Sequence, residues 1–135
     1  MSKPVADLAI LLRSMEPVLH DGVYAYCVVP HEASITGLSP VATVSEAEGL
    51  TLVLPEDQAI NAGLSVLFRA AWITLTVHSD LQAVGLTAAF ANALGQAGIS
   101  CNVVAGAYHD HIFVPVEQAQ QAFGALQSLQ HEALQ

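Results

Sequence analysis

Histidines, cysteines and clustered acids are the residues here whose types could do chemistry. His109-Asp110-His111 is the first constellation. In an extended strand positions 109 and 111 face the same side. His78, on another strand, would add a third imidazole of the kind zinc accepts. Two histidines without a fixed third ligand lack the spacing of a metal site, however, so they are read as turn and strand histidines and no metal ligand is assigned. His20, His31 and His131 fall in loops or tails and cluster with nothing. Cys27 and Cys101 show no C-x-x-C spacing. Each lies in an apolar, strand-like run, as expected of buried structural thiols in a reduced protein. Glu46, Glu48, Glu56 and Asp57 read as a solvated hairpin tip and a helix start. Nucleophile-elbow, Walker and dinucleotide glycine patterns are absent. Lys3, Arg13 and Arg69 are the only permanent cations, too few to clamp a phosphoryl group in transfer. The expectation is a protein without catalytic residues or cofactor; a metal-dependent enzyme built on His78, His109 and His111 is the lesser alternative.

Composition narrows the partners. The 135 residues carry 12 Asp+Glu against 3 Lys+Arg, a formal net charge of −9. Nucleic-acid affinity rests on cationic side chains that replace counterions, so a nucleic-acid partner is excluded. An anionic membrane surface is disfavoured for the same reason. Hydrophobic residues make up 53% and charged residues 11%, the opposite of a disordered chain. Between Asp80 and Asp110 there is no charged residue. Gln82, Asn92, Gln96, Asn102 and several glycines interrupt that stretch, so it reads as a helix followed by a strand and not as a membrane span. The start, Met1-Ser2-Lys3-Pro4-Val5-Ala6-Asp7, lacks the features of a signal peptide. A cytoplasmic protein is expected.

The elements that must position these residues follow from periodicity. Val5, Leu8, Leu12 and Met15 share a helical face, with Ser2 as cap and Pro4 in the first turn; Pro17 ends that helix. Val23–Val29 is apolar on both faces, as a central strand would be. Residues 30–40 form an irregular loop. Val41–Ser45 and Leu50–Leu54 form a hairpin. Pro55 opens a short helix that Gly63 closes. Val66–Phe68 and Trp72–His78 are read as two strands, the second with Ile73, Leu75 and Val77 toward the core and Thr74, Thr76 and His78 opposite. Ser79 or Asp80 caps a helix carrying Leu86, Phe90, Ala93, Leu94 and Ala97. Ile99–Val104 and His111–Val114 are strands around a turn. A last helix begins at Pro115, with Ala119, Ala122, Phe123, Leu126 and Leu129 in one stripe. The economical architecture is α+β: two ferredoxin-like βαββαβ halves, 1–67 and 68–135, with antiparallel sheets and helices on one face.

The run Val77-His78-Ser79-Asp80-Leu81-Gln82-Ala83-Val84-Gly85-Leu86, then Gly98-Ile99-Ser100-Cys101-Asn102-Val103-Val104, then a hairpin and a final helix, resembles an ACT domain. ACT domains are small ferredoxin-like modules that sense amino acids in metabolic enzymes. The second run is similar to the corresponding segment of aspartate kinase regulatory domains, and the whole chain resembles small tandem-ACT proteins. The C-terminal half lacks an obvious fourth strand. In aspartate kinases strands are exchanged between halves, so Val23–Val29 is the expected donor. The resemblance implies a non-catalytic amino-acid sensor that acts in trans, as a homodimer or higher oligomer, with its site at an interface beside the first strand–helix loop. A helix start offers free backbone N–H groups to a carboxylate. Val84, Gly85 and Leu86 are therefore the expected main-chain contacts. Asp80 would meet the α-ammonium, and Ser79 would donate or accept. Asn102 and Val103 would contribute from the neighbouring strand. The plain alternative makes Asp80 a helix cap and Gly85 a packing glycine, in an interaction module without ligand.

Overall fold

Alternation of buried and exposed side chains, and the turns between them, set the strands of the protein. Its computed structural model describes residues 7–76 and 85–133. By packing, the chain divides into a contiguous unit, Asp21–Ala71, and a discontinuous one made of the chain up to His20 together with the chain from Trp72 onward. This division differs from the expected halves 1–67 and 68–135, because the N-terminal helix and strand pack with the C-terminal segment.

In the contiguous unit, β2 (Tyr24–Val29) lies between β4 (Gly49–Pro55) and the first residues of β5 (Phe68–Leu75), antiparallel to both. β3 (Ala42–Glu46) pairs with β4 at the edge. Counted from β2, the order is 4-1-3-2, that of a ferredoxin-like sheet. Ala25, Cys27 and Val29 alternate inward and pack on Leu52, Leu54 and Ala59 of α2 (Glu56–Asn61). Loop residues Ala33, Ile35 and Leu38 cover the rest of that face, where the first helix of the motif would lie. The loop is pinned by Ser39 N–H to Gln58 Oε1 at 2.8 Å and by His31 Nε2 to the Glu46 carbonyl at 2.6 Å.

The discontinuous unit repeats the motif with a permuted chain. β5, α3 (Leu86–Gln96), β6 (Asn102–Ala105), β7 (Asp110–Pro115) and α4 (Ala119–Ala133, after a single 3-10 turn) supply three strands and two helices. The fourth strand is β1 (Pro17–Leu19), which pairs antiparallel with β5 through Pro17↔Leu75, Val18↔Thr74 and Leu19↔Ile73. The expected donor, Val23–Val29, does not fill this place: its partners are β4 and residues 68–70 of β5. β1 precedes it in the chain and is followed by a turn at Asp21-Gly22. α1 (Leu8–Ser14), α3 and α4 cover one face of the sheet. Leu11, Met15, Ile73, Leu75, Phe90, Leu94, Ile112, Val114 and Leu126 are buried there. Burying a side chain of this size stabilises by about 1.5–3 kcal/mol.

Three expected boundaries move. α1 is capped by Asp7, whose Oδ1 accepts from Ile10 N–H at 3.2 Å, and Leu11 is its buried residue; Ser2 and Pro4 lie outside the described residues. Phe68 to Leu75 is one strand and not two, because Phe68, Arg69 and Ala70 pair with β2 and the strand runs on through Ala71. α3 begins at Leu86 with Gly85 as N-cap, where Ser79 or Asp80 was expected. Both of those residues, with Val77, His78 and Val84, lie outside the described residues. No described helix is long and apolar enough to cross a membrane.

Candidate functional site

The start of α3 differs from that of α1. Gly85 has φ +103, a conformation that L side chains rarely adopt, and provides no side-chain acceptor for the first-turn amides. No acid stands in that first turn. The dipole of an 11-residue helix thus ends on backbone N–H groups whose natural complement is an anion. Gly85 is not, however, a glycine facing open space. A Cβ built there would lie 3.1 Å from Leu8 Cδ2, so α1 covers that side. Leu86 is buried in the core, leaving only its main chain for a ligand.

Asn102 and Val103 open β6, which leaves the opposite end of α3. Asn102 Nδ2–H donates to the Phe113 carbonyl on β7 at 3.3 Å, and Val103 pairs with Ile112. The expected ligand residues that are described therefore fall into two groups, Gly85 with Leu86 and Asn102 with Val103. Asp80, Ser79 and Val84 belong to the first group by sequence.

On the sheet face away from the helices, residues from β5 and β7 and the end of β1 converge. The His20 ring stacks on Trp72, with centroids 3.6 Å apart and planes at 12°. His20 Nε2 is 2.7 Å from Thr74 Oγ1, and the same hydroxyl is 3.1 Å from His111 Nδ1. Trp72 Nε1–H donates to His111 Nδ1 at 3.2 Å. An indole nitrogen only donates, so Nδ1 of His111 is an acceptor and its neutral ring carries the proton on Nε2. Burial holds the His111 pKa below the ordinary imidazole value; His109 works in the same direction and Asp110 against it. Asp110 is buried, which pushes its carboxyl upward, opposed by His111 and His109. His109 Nδ1 is buried without a hydrogen-bond partner.

This corrects the reading of His20 as a loop residue that clusters with nothing. It also explains why Thr74, expected opposite the core, is buried: imidazoles flank its hydroxyl. Spacing could not have revealed the contact, since His20 and Thr74 are 54 residues apart. The ring nitrogens that meet here are engaged with Trp72 and Thr74 and are not open to a metal. Among the described residues no group of three or more His, Cys, Asp or Glu could hold one. Cys27 and Cys101 form no disulfide, and burial raises both thiol pKa values.

The family matches divide the chain near residue 70, with α1 and β1 inside the first match. ACT-domain models match residues 3–71 and residues 67–128. The chain belongs to the ACT-domain family, and its two units are ferredoxin-like α+β folds. It is 52% identical to a Vibrio cholerae protein of unknown function, described as a possible transport protein. That crystal structure matches with a TM-score of 0.81 over 91% of this chain and 95% of the other. An Agrobacterium tumefaciens protein matches with a TM-score of 0.65 at 16% identity, over 86% of this chain and 89% of the other. The regulatory subunit of aspartate kinase from Thermus flavus matches with a TM-score of 0.62 at 12% identity, over 90% of this chain and 97% of the other. The last two are likenesses of fold. No curated protein matches the chain.

Proposed function

We propose that this ACT-domain protein is a non-catalytic sensor that binds an amino acid and regulates a partner in trans from the cytoplasm. ACT domains and the aspartate kinase regulatory subunits that share this fold support a regulatory, ligand-binding role. The observation that carries the reading is the start of α3, where the N-cap Gly85 has no side chain to offer the first-turn amides, while Asp7 supplies an acceptor at α1. In the proposed complex the ligand carboxylate lies on the main chain of Val84, Gly85 and Leu86. Asp80 faces the ammonium, with Ser79 beside it. Because Asn102 and Val103 open a strand at the other end of α3, they reach that ligand from a second copy, and the sensor is a homodimer or higher oligomer. A ligand held by two copies favours the arrangement that closes on it.

A second reading, an oligomerisation module without ligand, is favoured by one row of side chains. Val28 and Val44 flank Thr51 across β2, β4 and β3, on the face opposite Leu52 and Leu54. Val28 is 48% and Val44 53% exposed. Exposed apolar patches of this kind mark contact surfaces.

The test is a thermal-shift screen with the twenty amino acids, repeated on Asp80→Ala. An amino acid that raises Tm in proportion to the logarithm of its concentration, with the shift lost in Asp80→Ala, supports the sensor. No shift with any of the twenty, alongside a stable oligomer by sedimentation, favours the module.

A further inference from the structure

The polar chain on the helix-free face of the discontinuous unit has no part in the amino-acid site, yet it ties down the unit's shortest strand. β1 contributes three residues to the ladder. The next residue, His20, is held to β5 by its N–H on the Trp72 carbonyl at 3.0 Å, by the ring stack and by Thr74. One hydroxyl thus stands between two imidazoles. A hydroxyl carries a single proton and two lone pairs, so it can donate to one ring while it accepts from the other. With both rings charged, two N–H donors converge on its oxygen and neither ring can accept its proton. The like charges would then lie within about 6 Å of each other, close enough for each to oppose the other. His111 is constrained further. A proton on its Nδ1 would turn the Trp72 contact into donor against donor, whereas a charged His20 remains compatible with its place over the indole face.

We propose that His20, Trp72, Thr74 and His111 form a proton-operated latch that holds β1 on β5 while His111 is neutral and releases it when His111 is protonated. Among the described residues, the titratable groups facing His111 are His20 across Thr74, and Asp110 and His109 on its own strand and turn. β5 presents Trp72 and Thr74, while β6 and its turn present Val104 and Gly106. The sign follows from linkage. An unfolded histidine takes its proton near about 6.5, and the buried one only at lower pH. The stabilisation is therefore complete above about 6.5 and is lost as pH falls below that value.

Trp72 is the only tryptophan in the sequence, so tryptophan fluorescence arises at this cluster. The experiment titrates emission of the full chain from about pH 8 to about pH 5, with hydrogen-exchange protection read at the His20 and Thr76 amides. Emission is expected to change in one transition, with both protection factors falling together as pH drops below about 6.5. His111→Asn keeps an acceptor near the Nδ1 position and cannot titrate, so the acid loss of protection should vanish, while His109→Asn retains it. His20→Gln removes the opposing charge and should move the midpoint to higher pH. The proposal is overturned if His111→Asn titrates like the wild type, if His109→Asn abolishes the transition, or if His20→Gln leaves the midpoint in place.

Discussion

Gly85 sits with φ +103 and with the direction of a missing side chain aimed at Leu8. Two separable costs meet there. Any other residue strains the backbone, and its Cβ presses on a leucine that is itself 38% exposed and able to shift. Gly85→Ala should lose about 1–3 kcal/mol in urea denaturation, the range for a residue forced into a sparsely populated backbone region. In a Leu8→Ala background the same substitution should cost less by the contact alone, with the backbone part remaining. A loss that disappears entirely in the double variant would place the whole effect in the contact. Because Gly85 variants mix folding with binding in this way, Asp80→Ala is the cleaner probe of the ligand. That Gly85 is closely packed was legible as the plain alternative, a packing glycine. Leu8, 77 positions earlier, was not, because nothing in a helical repeat says which neighbour its outer leucines will meet.

β1 shows where pattern reading runs out among elements. Three residues, Pro17-Val18-Leu19, are too short to display an alternation, and the proline drew attention to the end of α1. The longer strands and helices were legible because each repeats its apolar spacing over at least a full turn or several alternations, and the short α2 because Pro55, two acids and Gly63 bracket it. β5 was split in the reading because Arg69-Ala70-Ala71 has low strand propensity. Its register with β2 overrides that preference. The pairing also makes β1 testable. His20 N–H donates to Trp72, and Thr76 N–H to Glu16 at 2.9 Å. Alternation along an antiparallel ladder then places Val18 opposite Thr74 as a hydrogen-bonded pair. Val18→Pro should remove that donor and destabilise the protein by about 1–3 kcal/mol. Val18→Thr, which keeps the donor and the branched shape, should be close to neutral. Equal losses for both would mean that side-chain packing and not the ladder holds the strand.

At the scale of the whole molecule, a charge of −9 on 135 residues sets association between copies against their mutual repulsion. Raising salt shortens the Debye length from about 10 Å at 0.1 M to about 3 Å at 1 M. The proposed oligomer should therefore tighten with added salt. Sedimentation at constant protein concentration checks this, and weakening with salt would point to contacts made by the few cations. The ferredoxin-like class of both units was legible because it follows from element order. The permutation was not. The sequence shows which segments are strands, while the pairing partners depend on contacts that no local pattern records.

That permutation bears on how the molecule is made. Residues 21–71 can reach their final arrangement as soon as they leave a ribosome, since every pairing they need lies within that span. The opening segment must wait, its apolar face and β-edge unsatisfied, until more than fifty later residues have been synthesised and those beyond them supply α4 and β5. Loop closure over that separation is slow compared with local pairing. During synthesis this stretch is thus the part of the nascent chain most in need of shelter, because it emerges well before the segments that cover it.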